Sequence, residues 1–158
     1  MRRIPLTQGK FALVDDGDYD WLNQWMWYYS KNGYAARKNG KIVYMHNAIM
    51  NTPPGFHTDH KETGKQDYGL DNRRSNLRIC TVSQNLANRG PQKNNTSGYK
   101  GVEWYKSRSN WRAKIKSAGK FVHIGYFKTA EEAAKAYDVV AKRLFGEFAF
   151  LNFPEDMQ

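Results

Sequence analysis

The apolar residues of this chain follow two patterns. Up to about residue 80 they come in short clusters, "KFALV", "WMWYYS", "GYAARK" and "KIVYMH", separated by "DDGD", "SKNG" and "KNGK". Short runs rich in Val, Tyr and Trp between Gly, Asn and Asp predict strands joined by tight turns. "KNGK" predicts a type I′ hairpin at Asn39-Gly40, because both central residues of that turn take positive φ. Trp21, Trp25 and Trp27 are expected in strand or core packing, and "DYDWLN" is expected to begin a short helix at Asp18 or Asp20.

Beyond residue 97 the clusters lengthen. "YKGVEWYKS", "WRAKIKS" and "KFVHIGYF" read as three strands with turns at "RSN" and "AGK". The period then changes in "TAEEAAKAYDVVAKRLFG", where Thr129 and Glu132 form a capping box and Gly146 supplies a stop. Ala133, Ala136, Tyr137, Val140, Ala141 and Leu144 make the expected apolar stripe. Residues 90 to 97, "GPQKNNTS", have no apolar period and read as a linker. The expected fold is therefore α+β, with one domain over 1–89 that includes an N-terminal strand-rich extension. A second domain over 98–154 is expected to be a three-stranded antiparallel sheet packed on one helix.

At 158 residues with 40% hydrophobic content, the chain suffices for one ordinary domain or two small ones. The excess of 25 Lys+Arg over 15 Asp+Glu, a formal +10, points to a polyanionic partner, nucleic acid ahead of an anionic membrane surface. No apolar run approaches the roughly 20 residues that span a bilayer, and "MRRIPLTQGKFALVDD" lacks a signal-peptide core. The protein is expected to stay soluble where it is made. Cys80, the single cysteine, excludes an internal disulfide and a cysteine-ligated zinc, and reads as a small buried hydrophobe.

The stretch that folding explains least is "TDHKETGKQDYGLDNRRSNLR", residues 58 to 78. Phosphodiester hydrolysis needs a base to take a proton from water, a cation to neutralise charge and a scaffold to aim both. Asp59 and His60 offer a carboxylate and an imidazole. The imidazole would have to face water while the carboxylate ligates metal. Downstream, Asn76 precedes "LRICT", and Thr81 or Ser83 would cap a short helix holding Gln84, Asn85, Asn88 and Arg89. Asn85 and Arg89, four apart, would share a helix face.

On "DH", "LDNRRSNLR" and "T-x-x-QN-x-x-NR", with "YMHNAIMN" upstream, residues 1 to about 90 resemble an HNH endonuclease of bacteriophages and mobile introns, with the ββα-metal fold. The resemblance implies that His60 is the general base and that Asp59 and Asn85 bind one divalent cation. It implies that Asn76 holds the loop and so orients His60, and that Arg89 contacts phosphate or leaving group. Oxygen and amide ligands suit Mg²⁺ or Mn²⁺ better than zinc. The resemblance further implies a phage-encoded protein in the cytoplasm of a bacterial host, as a monomer or weak dimer. "KETGKQDYG" is about three residues longer than the turn usual in the family, which closure entropy tolerates. Arg73, Arg74 and Arg78 are expected to clamp phosphates. His57 and His46 stay open: His57 reads as Asp59's neighbour pointing away from the metal, and His46 as packing or phosphate positioning.

Near the C-terminus, Arg112, Lys114 and Lys116 share one strand face while Ala113 and Ile115 share the other. A helix can cover the apolar side and leave a basic one open. From "YKGV", "W-x-A-x-I" and "IGYFKTAEEAAKAYDVVAKRLFGEFAFLNFP", residues 98 to 154 resemble an APETALA-type, or ethylene-response-factor, DNA-binding domain. That likeness implies double-stranded DNA as partner, with the sheet in the major groove. Its candidate contacts are Lys100, Glu103, Arg112, Lys114, Lys116 and His123. Phe121 and His123 stand where plant members carry Arg and Trp, so plant site preference does not transfer. Two competing readings are a non-catalytic DNA-binding transcriptional regulator and an RNA-binding sheet.

Overall fold

Alternating apolar positions close a hairpin at the start of the chain: β1 (Arg2–Pro5) pairs antiparallel with β2 (Phe11–Val14) and buries Ile4, Ala12 and Val14. The computed structural model describes residues 1–62 and 67–157, so residues 63 to 66 of "KETGKQDYG" and residue 158 lie outside the described residues. Among the described residues the fold is mixed, with four α-helices and four small antiparallel sheets. It divides into two compact units, Met1–Val82 and Ser83–Gln158. No helix among the described residues is long and apolar enough to cross a membrane.

In the first unit, α1 (Asp16–Leu22) begins two residues earlier than Asp18, with Asp16 and Asp18 in its first turn, where the helix N-terminus favours acids. β3 (Tyr28–Tyr29), β4 (Ala35–Asn39) and β5 (Lys41–Tyr44) form the second sheet. "WMWYYS" thus yields only two strand residues. Trp27 alone of the three tryptophans is buried, donating from Nε1 to the Leu22 carbonyl at 2.8 Å, whereas Trp25 is exposed beneath the Arg37 guanidinium. The turn after β4 is not type I′: Gly40 has φ 64°, Asn39 has no positive φ, and Asn39 pairs with Lys41. α2 (Met45–Met50) follows β5 without a loop. Next come β6 (His57–His60) and its antiparallel partner β7 (Leu77–Cys80), and α3 (Val82–Asn88) follows in the chain. Within this unit Ile4 of β1, Leu22 of α1, Met45 and Ile49 of α2, Leu77 of β7 and Leu70 share one core. Each contributes about 1.5–3 kcal/mol by leaving water.

In the second unit, β8 (Val102–Tyr105), β9 (Asn110–Ser117) and β10 (Lys120–Phe127) form an antiparallel sheet with β9 central, packed on α4 (Ala130–Phe145). The capping box at Thr129 and Glu132 is present. The buried stripe runs through Ala133, Tyr137 and Ala141 to Phe145, advancing by four, so Leu144 drops off it and is 46% exposed. Asp138 lies in that stripe at 1% exposure. Its carboxylate accepts from the backbone N–H groups of Asn152 and Phe153, at 2.9 and 2.8 Å, and from Asn152 Nδ2 at 3.0 Å. Gly101, at φ 77°, lets strand and helix meet, since a Cβ there would lie 2.1 Å from the Tyr137 ring.

Candidate active site and nucleic-acid interface

Pairing of β6 with β7 sets Asp59 opposite Arg78 and His60 opposite Leu77. Both members of the Asp-His pair are buried, at 6% and 3% exposure. The imidazole expected to face water is therefore enclosed. Asp59 Oδ2 accepts from Arg78 Nη2 at 3.0 Å and Nε at 3.2 Å. His60 Nε2 lies 3.4 Å from Oδ1 of Asn72, a fully buried residue. The Asn72 amide has one sensible orientation, because its Nδ2 donates to the Leu70 carbonyl at 3.2 Å. Oδ1 thus faces His60, so Nε2 of the neutral ring carries the proton and Nδ1 the lone pair.

Burial holds His60 below the ordinary imidazole value, against the raising influence of Asn72, Asp59 and Asp71. Desolvation, helped by His60, brings the neighbouring His46 down to about 3. Both rings are neutral at physiological pH, the state a general base requires.

The loop between β6 and β7 returns on itself through Asn76. Its Nδ2 donates to the Asp71 carbonyl at 2.9 Å, its Oδ1 accepts from Glu62 N–H at 3.0 Å, and its own carbonyl accepts from Lys61 N–H at 2.8 Å. Asn72 N–H donates to the Leu13 carbonyl of β2 at 2.8 Å, which pins the loop to the N-terminal hairpin. A cleft of about 370 Å³ is lined in part by Arg3, Lys10, Phe11, Tyr68 and Asp71. Sequence reasoning missed Asn72 although it stands in "LDNRRSN"; two asparagines four apart were the signal, and their partners tell them apart, since Asn72 meets the His60 ring while the Asn76 side chain binds backbone groups of the loop.

The three arginines after the loop all engage carboxylates. Arg73 pairs with Asp71, holding its pKa low, and Arg74 with Asp18 at 2.7 and 2.8 Å, with the same effect there. Arg73 and Arg74 keep exposed side chains; Arg78, on Asp59, is 10% exposed and sits inside the site instead of at a phosphate-facing surface.

In the second unit, Asn85 is half-buried on α3 and Arg89 is exposed just past its end. Lys100 donates to the Ala87 carbonyl and, at 3.4 Å, to that of Leu86. Burial, then the charge of Arg89, brings its pKa down to about 8. The sheet face away from α4 interleaves cations and rings: Arg112 lies over Tyr105, Arg108 over Tyr126 and Lys114 over Phe121. His123 packs on Tyr126 at 4.6 Å. A bulge at Ile124 shifts the register from His123 opposite Lys114 to Tyr126 opposite Arg112, which keeps both rings on this face. Glu103, the acid among them, accepts from Arg112 Nε and Lys114 Nζ, both at 2.8 Å.

Among the described residues, no group of three or more His, Cys, Asp or Glu side chains could hold a metal ion. The expected ligands Asp59 and Asn85 offer one carboxylate and one amide oxygen, donor types that hard ions take, and the Asp59 carboxylate is held by Arg78.

Residues 97–147 match the AP2 domain model. The chain is 32% identical over 151 residues to an uncharacterized HNH endonuclease of Acanthamoeba polyphaga mimivirus, spanning 92% of this chain and 76% of that protein. It is 33% identical over 97 residues to Protein 3.8 of Escherichia phage T7, covering 61% of this chain and 76% of the relative. It is also 42% identical over 65 residues to an AP2-like ethylene-responsive transcription factor of Arabidopsis thaliana, of which it spans 13%. No solved structure matches the chain. With this likeness over 92% of its residues and the AP2 match over 97–147, the chain belongs to the HNH endonuclease family, as a member that carries an AP2 domain in its C-terminal part.

Proposed function

We propose that this protein is a metal-dependent DNA endonuclease of the homing type, aimed at duplex DNA by its AP2 domain. The observation that carries the reading is the Asp59-His60 pair at the end of β6, with a neutral His60 facing Asn72 Oδ1 and its loop tied back by Asn76. In this reading β6, β7 and α3 are the parts of a ββα-metal site. Asp59 and Asn85 would hold Mg²⁺ or Mn²⁺, which when bound neutralises charge on the phosphorane and the leaving oxygen.

His60 Nδ1 takes a proton from water as the water oxygen bonds to phosphorus. The bond from phosphorus to the 3′ oxygen breaks, that oxygen takes a proton from solvent water, and a 5′-phosphate and a 3′-hydroxyl are left, with the His60 proton later lost to solvent. Arg89 contacts the phosphate or the leaving oxygen. Arg73 and Arg74 supply peripheral phosphate contacts, and Arg78 acts on Asp59. Lys100, Glu103, Arg112, Lys114, Lys116 and His123 line or support the DNA-reading sheet. One centre per chain nicks one strand, so a double-strand break needs two chains or two events. The phage T7 relative supports a phage-encoded protein working in the cytoplasm of its bacterial host.

A second reading, a non-catalytic DNA-binding regulator, is favoured by the enclosure of His60 and by the hold of Arg78 on Asp59. A plasmid assay with Mg²⁺ separates the two. Nicking that disappears in His60→Ala supports the enzyme; tight binding without cleavage supports the regulator. Stronger retention on structured RNA than on duplex DNA would contradict both.

A further inference from the structure

The His60 ring has three aromatic neighbours that the proposed chemistry leaves without a role. Tyr34, just ahead of β4, stacks on it with centroids 5.7 Å apart and planes at 26°. His46 of α2 meets it edge-on at 5.1 Å and 77°, and Tyr68 closes a third side at 6.2 Å and 80°. The box is itself braced. Tyr34 meets His46 at 5.2 Å, Tyr44 stacks on His46 at 5.5 Å and 12°, and the Tyr34 and Tyr68 hydroxyls lie 3.4 Å apart. A Cβ at Gly69 would stand 2.6 Å from both the Gly33 carbonyl and the Tyr34 ring, so the loop backbone closes directly on this tyrosine.

A histidine χ2 rotates in a broad well, and a hydrogen bond of 3.4 Å restrains it weakly. Flat groups packed on a face and an edge restrain it well. Fold stability does not explain the choice of His46, whose Nδ1 is buried without a hydrogen-bond partner among the described residues. Such an orphan costs about 1–3 kcal/mol, and a phenylalanine would avoid the cost.

We infer that Tyr34 and His46 are positioning residues for His60: their rings fix the plane of the imidazole and hence the direction of the Nδ1 lone pair. This rests on His60 being the base. The strand-rich N-terminal extension is then part of the active site, because Tyr34, Tyr44 and His46 all come from it.

The test uses the full chain and four variants, Tyr34→Phe, Tyr34→Leu, His46→Phe and His46→Ala, read by plasmid nicking with Mg²⁺ and by NMR of the His60 ring protons. Tyr34→Leu and His46→Ala are expected to lose about 10- to 100-fold in kcat with little change in KM. Tyr34→Phe and His46→Phe should keep wild-type kcat. The His60 ring signals, shifted upfield by the stacked Tyr34, should move downfield in Tyr34→Leu and stay in Tyr34→Phe. Wild-type kcat in Tyr34→Leu, an equal loss in Tyr34→Phe, or unmoved ring signals would each overturn the inference. Should Tyr34→Leu fail to fold, His46→Phe carries the decision: retained kcat supports ring packing, and lost kcat overturns it. A wild-type protein that never nicks but shows the Tyr34-dependent ring shift would sink the nuclease reading and leave the packing of residue 60 standing.

Discussion

Arg78 stands directly across the β6–β7 ladder from Asp59 and holds Oδ2 from two guanidinium nitrogens, with both side chains no more than 10% exposed. Buried ion pairs stabilise little relative to an apolar pair, yet removing one partner strands the other charge in a poor solvent. Arg78→Met is therefore expected to destabilise the protein by about 3–5 kcal/mol. The double variant with Asp59→Leu should recover most of the loss. Urea midpoints of the two singles and the double close the cycle; additive effects would show that the pair is not coupled.

Acid should loosen the first unit before the carboxylates titrate. His46 and His60 both sit below their unfolded value near 6.5, so the unfolded chain binds more protons as pH falls. The stability tied to their neutrality is fully present above pH 6.5. It declines as pH drops toward about 3, by up to about 1.4 kcal/mol per pH unit for His46. His46→Phe should flatten the curve of thermal midpoint against pH between 6.5 and 4. An unchanged curve would contradict the burial account.

On the open sheet face, Glu103 occupies two of the cations that duplex DNA would otherwise meet. Glu103→Gln is expected to tighten binding and steepen its salt dependence, while Lys116→Ala, which removes an exposed charge, should reduce the slope of log K against log salt by about one. Titrations at three salt concentrations measure both. A slope indifferent to either change would move the interface elsewhere.

The Asp138 carboxylate ties Asn152 and Phe153 to α4, and Phe153 packs on the core of the second unit. Asp138→Ala strands two backbone N–H groups and an amide. A loss of about 2–4 kcal/mol is expected, seen as a lower melting midpoint with DNA affinity falling alongside. Wild-type stability in this variant would mean that the C-terminal segment is not part of the fold.

Local chemistry was legible where one residue settles the conformation. The Thr129-Glu132 box, the strands of the second unit and the Asp59-His60 dipeptide need only their neighbours. Features set by packing were not. Nothing in "KNGK" shows that Asn39 pairs with Lys41, and nothing in "YMHNAIM" shows that His46 lies against His60, since both depend on how hairpin and helix seat on a shared core. Arg78 read as a surface cation because its cross-strand partner is fixed by register, which "LRIC" does not announce. Leu144 read as core because six residues fit a stripe that the real helix follows through Phe145.

The central claim is that His60, next to Asp59, activates water against a DNA phosphate. Supercoiled plasmid incubated with the full chain and Mg²⁺ tests it most directly, run beside His60→Ala and with the ion chelated. The account predicts nicked circles with 5′-phosphate and 3′-hydroxyl ends, lost in the variant and on chelation while DNA binding persists. Nicking at an undiminished rate by His60→Ala, or none by the wild type on DNA that it demonstrably binds, would contradict it.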